Sequence, residues 1–139
     1  MNYQKMLEQI KLHEGLRLKP YKCTAGYLTI GYGRNLESKG ISADEAEEML
    51  LNDVSDVEQS LARHELLSSK HNDARRAVVI NMAFNLGVAG LLAFKKTLDA
   101  YRNQQYLTAS IEMLDSKWAK QVGMRAKVLS EQMRTGEWQ

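Results

Sequence analysis

Three residues in the stretch HEGLRLKPYKCTAGYLTIGYGR, residues 13–34, carry side chains that could do chemistry together: Glu14, Cys23 and Thr29. Hydrolysis of a glycosidic bond needs a proton donor for the leaving oxygen and a second group that orients or deprotonates the attacking water. Glu14 follows a helix-like run, and at a helix C-terminus the macrodipole disfavours a negative carboxylate, which suits the residue to hold and donate a proton. A neighbouring arginine would oppose that effect. Cys23 is the only cysteine of the chain, and Pro20, three residues before it, is the only proline. A thiolate can accept a proton or stabilise developing positive charge; a neutral thiol does so poorly. Residue types alone leave two readings open. One is a surface acid near a small inert thiol; the other is a catalytic pair with a hydroxyl beside it.

The elements that must position these groups follow from periodicity. Tyr3, Met6, Leu7 and Ile10 fall at helical spacing, predicting a helix over residues 2–13 with Asn2 as cap and Gly15 as stop. Leu16, Leu18, Tyr27, Thr29 and Tyr32 then alternate as strands do, with CTAG as the turn and Pro20 marking an edge strand. Gly31 and Gly33 offer two points where backbone can approach another surface closely. Ser42 and Glu45 form a capping-box pattern ahead of a long helix carried by Ala46, Met49, Leu50, Val54, Val57 and Leu61. Beyond it every segment reads as helix: a central, nearly all-apolar one from Asp73, its expected cap, to Gly87, then shorter ones. The helix beginning at Thr108 is expected to run through SKWAKQ, and Gly136 closes the last. Trp118 and Trp138 read as packing residues.

These elements predict a mostly helical α+β fold in one domain, residues 1–139, with two lobes. A small hairpin lobe takes about 13–42, a connecting helix about 43–65, and a helical lobe about 66–139 together with the helix 2–13. A ligand cleft is expected between such lobes.

Composition narrows the function classes. Hydrophobic residues at 44% and charged residues at 26% describe an ordinary globular chain. Residues 1–70 hold 9 Lys/Arg against 11 Asp/Glu, and residues 71–139 hold 10 against 6. No basic block is dense enough for a nucleic-acid reader, so none is expected as partner. His64 and His71 share no metal-ligand spacing with any Cys/His partner, so no metal site is expected, and no cofactor is implied. The N-terminus lacks the pattern of a signal peptide, and no apolar run has transmembrane length.

EGLRLKPYKCTAGYLTIGYG, DARRAVVINMAFNLG, SKWAKQ and RAKVLSEQMRTGEW together resemble the phage-type lysozyme (endolysin) family, typified by the T-even coliphage enzyme. The family's triad is Glu, eight residues, Asp or Cys, five residues, Thr, which Glu14, Cys23 and Thr29 match. The resemblance implies an α+β, two-lobed fold and hydrolysis, with inversion, of the β-1,4 bond between N-acetylmuramic acid and N-acetylglucosamine in peptidoglycan. Glu14 would be the general acid, Thr29 would hold the water, and Cys23 would work beside it with a lowered thiol pKa or act as nucleophile in a covalent route. It further implies a monomer held in the host cytoplasm until a holin-like pore opens the way to the wall. The alternative is a weakened, wall-binding protein of the same fold, because Cys23 stands where the T-even enzyme has Asp.

Substrate contacts carried over by the resemblance are Phe84, Asn85, Thr97, Glu112 and Arg125. Phe84 matches an aromatic lining the sugar site, with core packing as its alternative. Asn85 is a shorter amide than the family's, and Thr97 and Glu112 replace Ser and Asn. Arg125 takes the place of an arginine that pairs with the catalytic acid. Arg34 stands where the T-even enzyme has His, and the loop from Arg34 to Ser42 is shorter, implying less sheet.

Overall fold

The computed structural model describes residues 1–139 as three strands and eight helices. They form an α+β, mostly helical, lysozyme-like fold. The chain divides into two compact units, Met1–Met49 and Leu50–Gln139. The boundary falls inside the long helix expected as a connector.

The first unit opens with α1 (Tyr3–Glu14), whose N-cap Asn2 accepts a hydrogen bond from the Lys5 amide. Gly15 ends it at φ +73, donating its amide to the Lys11 carbonyl. The sheet is antiparallel in the order β1 (Arg17–Lys22), β2 (Leu28–Gly31), β3 (Arg34–Asn35). Pro20 sits on the edge strand, in the stretch between Arg17 and Tyr21 where the register slips. A residue without an amide proton costs nothing at such a break. Thr29 lies opposite Tyr21 on one side and Asn35 on the other. β3 occupies the start of what the sequence marked as loop, and its two residues are too few to show an alternating pattern.

Helix α2 (Ala43–Arg63) begins with the expected capping box: Glu45 N–H to Ser42 Oγ, and Ser42 N–H to Glu45 Oε1. Of the apolar positions along it, Leu61 is fully buried, while Met49 and Leu50 are exposed.

The second unit contains α3 (Asp73–Leu86), α4 (Val88–Leu92), α5 (Lys95–Arg102), α6 (Tyr106–Leu114), α7 (Lys117–Val122) and α8 (Met124–Thr135). Its core joins Leu61, Val78, Met82, Leu91, Tyr101, Met113, Trp118 and Met133. The cap of α3 is Asn72, one residue before the Asp73 expected, and Asp73 instead supplies a negative charge to the first turn. Arg75 crosses to the end of α8, donating from Nε to the Met133 carbonyl and from Nη2 to the Arg134 carbonyl. It thereby satisfies acceptors that a helix C-terminus leaves free. The helix expected from Thr108 starts at Tyr106 and breaks after Leu114; Ser116 caps α7 by accepting from the Ala119 amide. Trp118 is buried as expected, but Trp138, expected to pack, is 68% exposed.

Candidate active site

The first unit holds Glu14, Cys23 and Thr29. Glu14 is the last residue of α1 and is exposed. Its carboxylate rests on the backbone of Gly33: a methyl added to Gly33 would fall 2.5 Å from Glu14 Oε2 and 3.0 Å from Cδ. Gly33 also holds φ +74, so the position excludes a side chain both by conformation and by space. This is one of the two glycines the sequence marked for close approach; what it approaches is the acid.

Cys23 opens the β1–β2 turn. Its amide donates to the Tyr27 carbonyl at 2.9 Å, and its carbonyl accepts from the Gly26 amide at 2.8 Å, with Gly26 at φ +86. The turn wraps backbone around the half-buried sulfur. The Cys23 thiol is held below the ordinary thiol range, first by the backbone hydrogen bond of Tyr27 and then by that of Ala25, against partial desolvation. The Thr29 hydroxyl and the Gly26 backbone add smaller contributions in the same direction. A thiol so placed is biased towards the form that accepts protons.

Thr29 is buried on β2, and its hydroxyl donates to the Tyr27 carbonyl at 2.9 Å. A hydroxyl has one proton, so donation to Tyr27 and donation to the Cys23 sulfur compete. Ionisation of the sulfur favours turning the proton towards it, because hydrogen bonds to charged acceptors are the stronger ones. Cys23 and Thr29 are thus coupled through the turn.

The other candidates lie in the second unit. Phe84, near the end of α3, is 42% exposed, which removes the core-packing alternative and leaves a ring on the surface. Asn85, beside it, is exposed, and its Oδ1 accepts from Trp118 Nε1 at 2.7 Å, leaving the amide NH2 to solvent. Thr97 and Glu112 line one open recess of about 400 Å³, together with Phe94, Lys95, Asp115 and Ser116. Phe94 meets Trp118 edge-on at 6.0 Å, so this recess and Asn85 share one aromatic support. Arg125 is exposed, and both its Nε and Nη2 donate to Asn81 Oδ1, at 3.0 and 2.7 Å. Two of its five N–H donors thus meet a neutral amide, and the rest remain for other acceptors.

Sequence reasoning missed the supporting roles of Trp118 and Phe94, since an aromatic in a helical stripe carries no sign that it braces a neighbouring polar group. It also missed the pairing of Arg34. Arg34 donates from Nη1 to Glu45 Oε1 at 2.9 Å and to the Gly40 carbonyl at 3.1 Å, and from Nη2 to Glu45 Oε2 at 2.8 Å. The guanidinium, with the Ser42 amide and hydroxyl, holds the Glu45 carboxyl at about 2, far below its ordinary range.

Fold and residues together define a lysozyme-like protein with its ionisable groups on a small sheet unit. The sequence profile of the phage lysozyme family matches residues 11–135, and the chain belongs to that family. It is 28% identical to "Probable T4-type lysozyme 1" of Dictyostelium discoideum, over 93% of each chain. It is 32% identical to "Endolysin" of Acyrthosiphon pisum secondary endosymbiont phage 1, over 84% of this chain and 79% of that one. With "Pre-baseplate central spike protein Gp5" of Enterobacteria phage T4 it shares 27% identity, over 94% of this chain and 28% of that protein. No helix is long and apolar enough to cross a membrane.

Proposed function

We propose that this chain is a muramidase that hydrolyses the β-1,4 bond between N-acetylmuramic acid and N-acetylglucosamine in bacterial peptidoglycan, and that it serves host cell lysis at phage release. The observation that carries the reading is an acid seated on Gly33 and, on the hairpin that follows, Cys23 and Thr29 joined at one turn, where the Cys23 amide and the Thr29 hydroxyl both donate to the Tyr27 carbonyl. Glu14 gives its proton to the glycosidic oxygen as the C–O bond breaks. Water attacks the oxocarbenium-like carbon from the opposite face, held by Thr29 Oγ1, and passes its proton to the Cys23 thiolate. The new bond forms on that face, so the anomeric centre inverts. Glu14 then regains a proton and Cys23 releases one to solvent.

In this reading Phe84 of the second unit offers a ring to a sugar face, and Asn85, Thr97, Glu112 and Arg125 of that unit offer polar groups to a sugar. The enzyme is a monomer that acts on the wall after a holin-like pore admits it. A thiol where a carboxylate would ionise more readily favours a second reading, wall binding with little turnover. Purified sacculi distinguish them. Release of soluble fragments by the wild type, and none by Glu14→Gln, supports hydrolysis. Cosedimentation without release supports the second reading.

A further inference from the structure

We propose that the Arg34–Glu45 pair is a positioning device for the site, holding the β2–β3 turn against Glu14 and keeping β3 beside Thr29. Its catalytic readout rests on the muramidase reading. Gly33, the seat of the Glu14 carboxylate, immediately precedes Arg34 in the chain. Asn35, the residue after Arg34, is the cross-strand neighbour of Thr29, and Arg34 itself lies opposite Ile30. One two-residue strand therefore positions both the acid's seat and the threonine's partner.

That strand has little else to hold it. Its register with β2 consists of Thr29↔Asn35 and Ile30↔Arg34, with the Leu36 amide to the Leu28 carbonyl continuing the edge. Behind it, the turn and the first turns of α2 border an open recess of about 1290 Å³, walled by Ile30, Tyr32, Ile41 and Met49, rather than a packed core. Close packing is the usual source of precise placement, and here it is missing. Arg34 and Glu45 line the same recess, and their two-pronged contact spans it. A bidentate guanidinium–carboxylate pair fixes angle as well as distance, which a lone point charge would not. The pair is also anchored at both ends. Glu45 is bonded to the Ser42 amide in the capping box of α2, and Arg34 Nη1 additionally holds the Gly40 carbonyl. The Glu45 carboxyl, lowered to about 2 first by Arg34, keeps the pair ionic at neutral pH.

Arg34→Gln and Glu45→Gln, each in the full chain, test the inference; each puts a neutral amide in place of one charged group and so removes the charge pair. The first readout needs no activity: the NMR amide resonance of Gly33 is compared with and without Glu14→Gln. In the parent background the loss of the carboxylate's charge should displace that resonance. In either clamp variant the displacement should fall by roughly half or more, because the seat no longer stays on the acid. The second readout is fragment release, where kcat should fall roughly 10- to 100-fold with KM within about twofold. An equal Gly33 displacement in both backgrounds, or a kcat loss no larger than the unfolded fraction, overturns the inference. If the parent chain releases no fragments, the muramidase reading fails and the Gly33 comparison alone decides the clamp.

Discussion

Trp118 Nε1 donates to Asn85 Oδ1 at 2.7 Å, so a buried ring orients an exposed amide. With its oxygen held by Trp118, the Asn85 amide NH2 points its two donors away from the ring, which suits the hydroxyl and carbonyl oxygens of a saccharide. Trp118→Phe keeps most of the buried ring and removes the donor. We expect KM for wall fragments to rise severalfold with kcat nearly unchanged, the pattern of lost uniform binding. Steady-state kinetics on purified sacculi check it.

Phe84 makes the complementary case. A buried phenylalanine replaced by alanine costs about 3–5 kcal/mol, but a ring 42% exposed has far less to lose. Phe84→Ala should destabilise the protein by less than about 1 kcal/mol and still weaken substrate binding. Denaturant midpoint and KM measured on the same variant separate the two roles.

Much of this arrangement was legible in the sequence, for physical reasons that differ by residue. Helical spacing and the Ser42–Glu45 box gave the helices, because both depend on neighbours within a few positions. The approach of Gly33 could be anticipated only as an approach; its object, Glu14, lies nineteen residues away and is set by how the hairpin returns to α1. Phe84 could be core or surface because the second half of α3 is apolar on nearly every face, and such a stretch does not say which way one ring points. Arg34 read as a departure from a family pattern, yet its partner, Glu45, was already visible as a capping residue. One carboxylate does both jobs, and the sequence displayed the local one.

His71 predicts how acid acts on the fold. It is fully buried, stacked on Tyr101 at 3.9 Å, with Nδ1 at 2.7 Å from the Tyr106 hydroxyl and no partner at Nε2. Burial first, and then the charges of Lys70, Arg75 and Arg76, push it down to about 4 from 6.5. Between those values the unfolded chain holds a proton that the folded chain refuses, so stability falls as pH drops from 6.5 towards 4. The loss is on the order of 3 kcal/mol. Unfolding midpoints across that window should show the slope, and His71→Gln should flatten it. A wild-type profile as flat as the variant's would remove His71 as the cause.

In the proposed mechanism Cys23 would set the acid limb of activity. If only the thiolate accepts the water's proton, the rate should rise with pH through the thiol's ionisation, at a pH below its ordinary 9.0. Cys23→Asp should stay active and move that limb towards acid, since a carboxylate ionises several pH units lower. Cys23→Ser should be nearly inactive. Full activity in the serine variant would reduce the residue to packing.

The most direct test of hydrolysis by Glu14 is the chemistry of the new chain ends. Sacculi digested by the protein are reduced with borohydride and the sugar alcohols identified by mass spectrometry. The account predicts N-acetylmuramic acid at the new reducing ends, as its alcohol, and none above background with Glu14→Gln, whose amide keeps the shape but cannot donate the proton. New ends carrying N-acetylglucosamine alcohol, or undiminished release by Glu14→Gln, would contradict it.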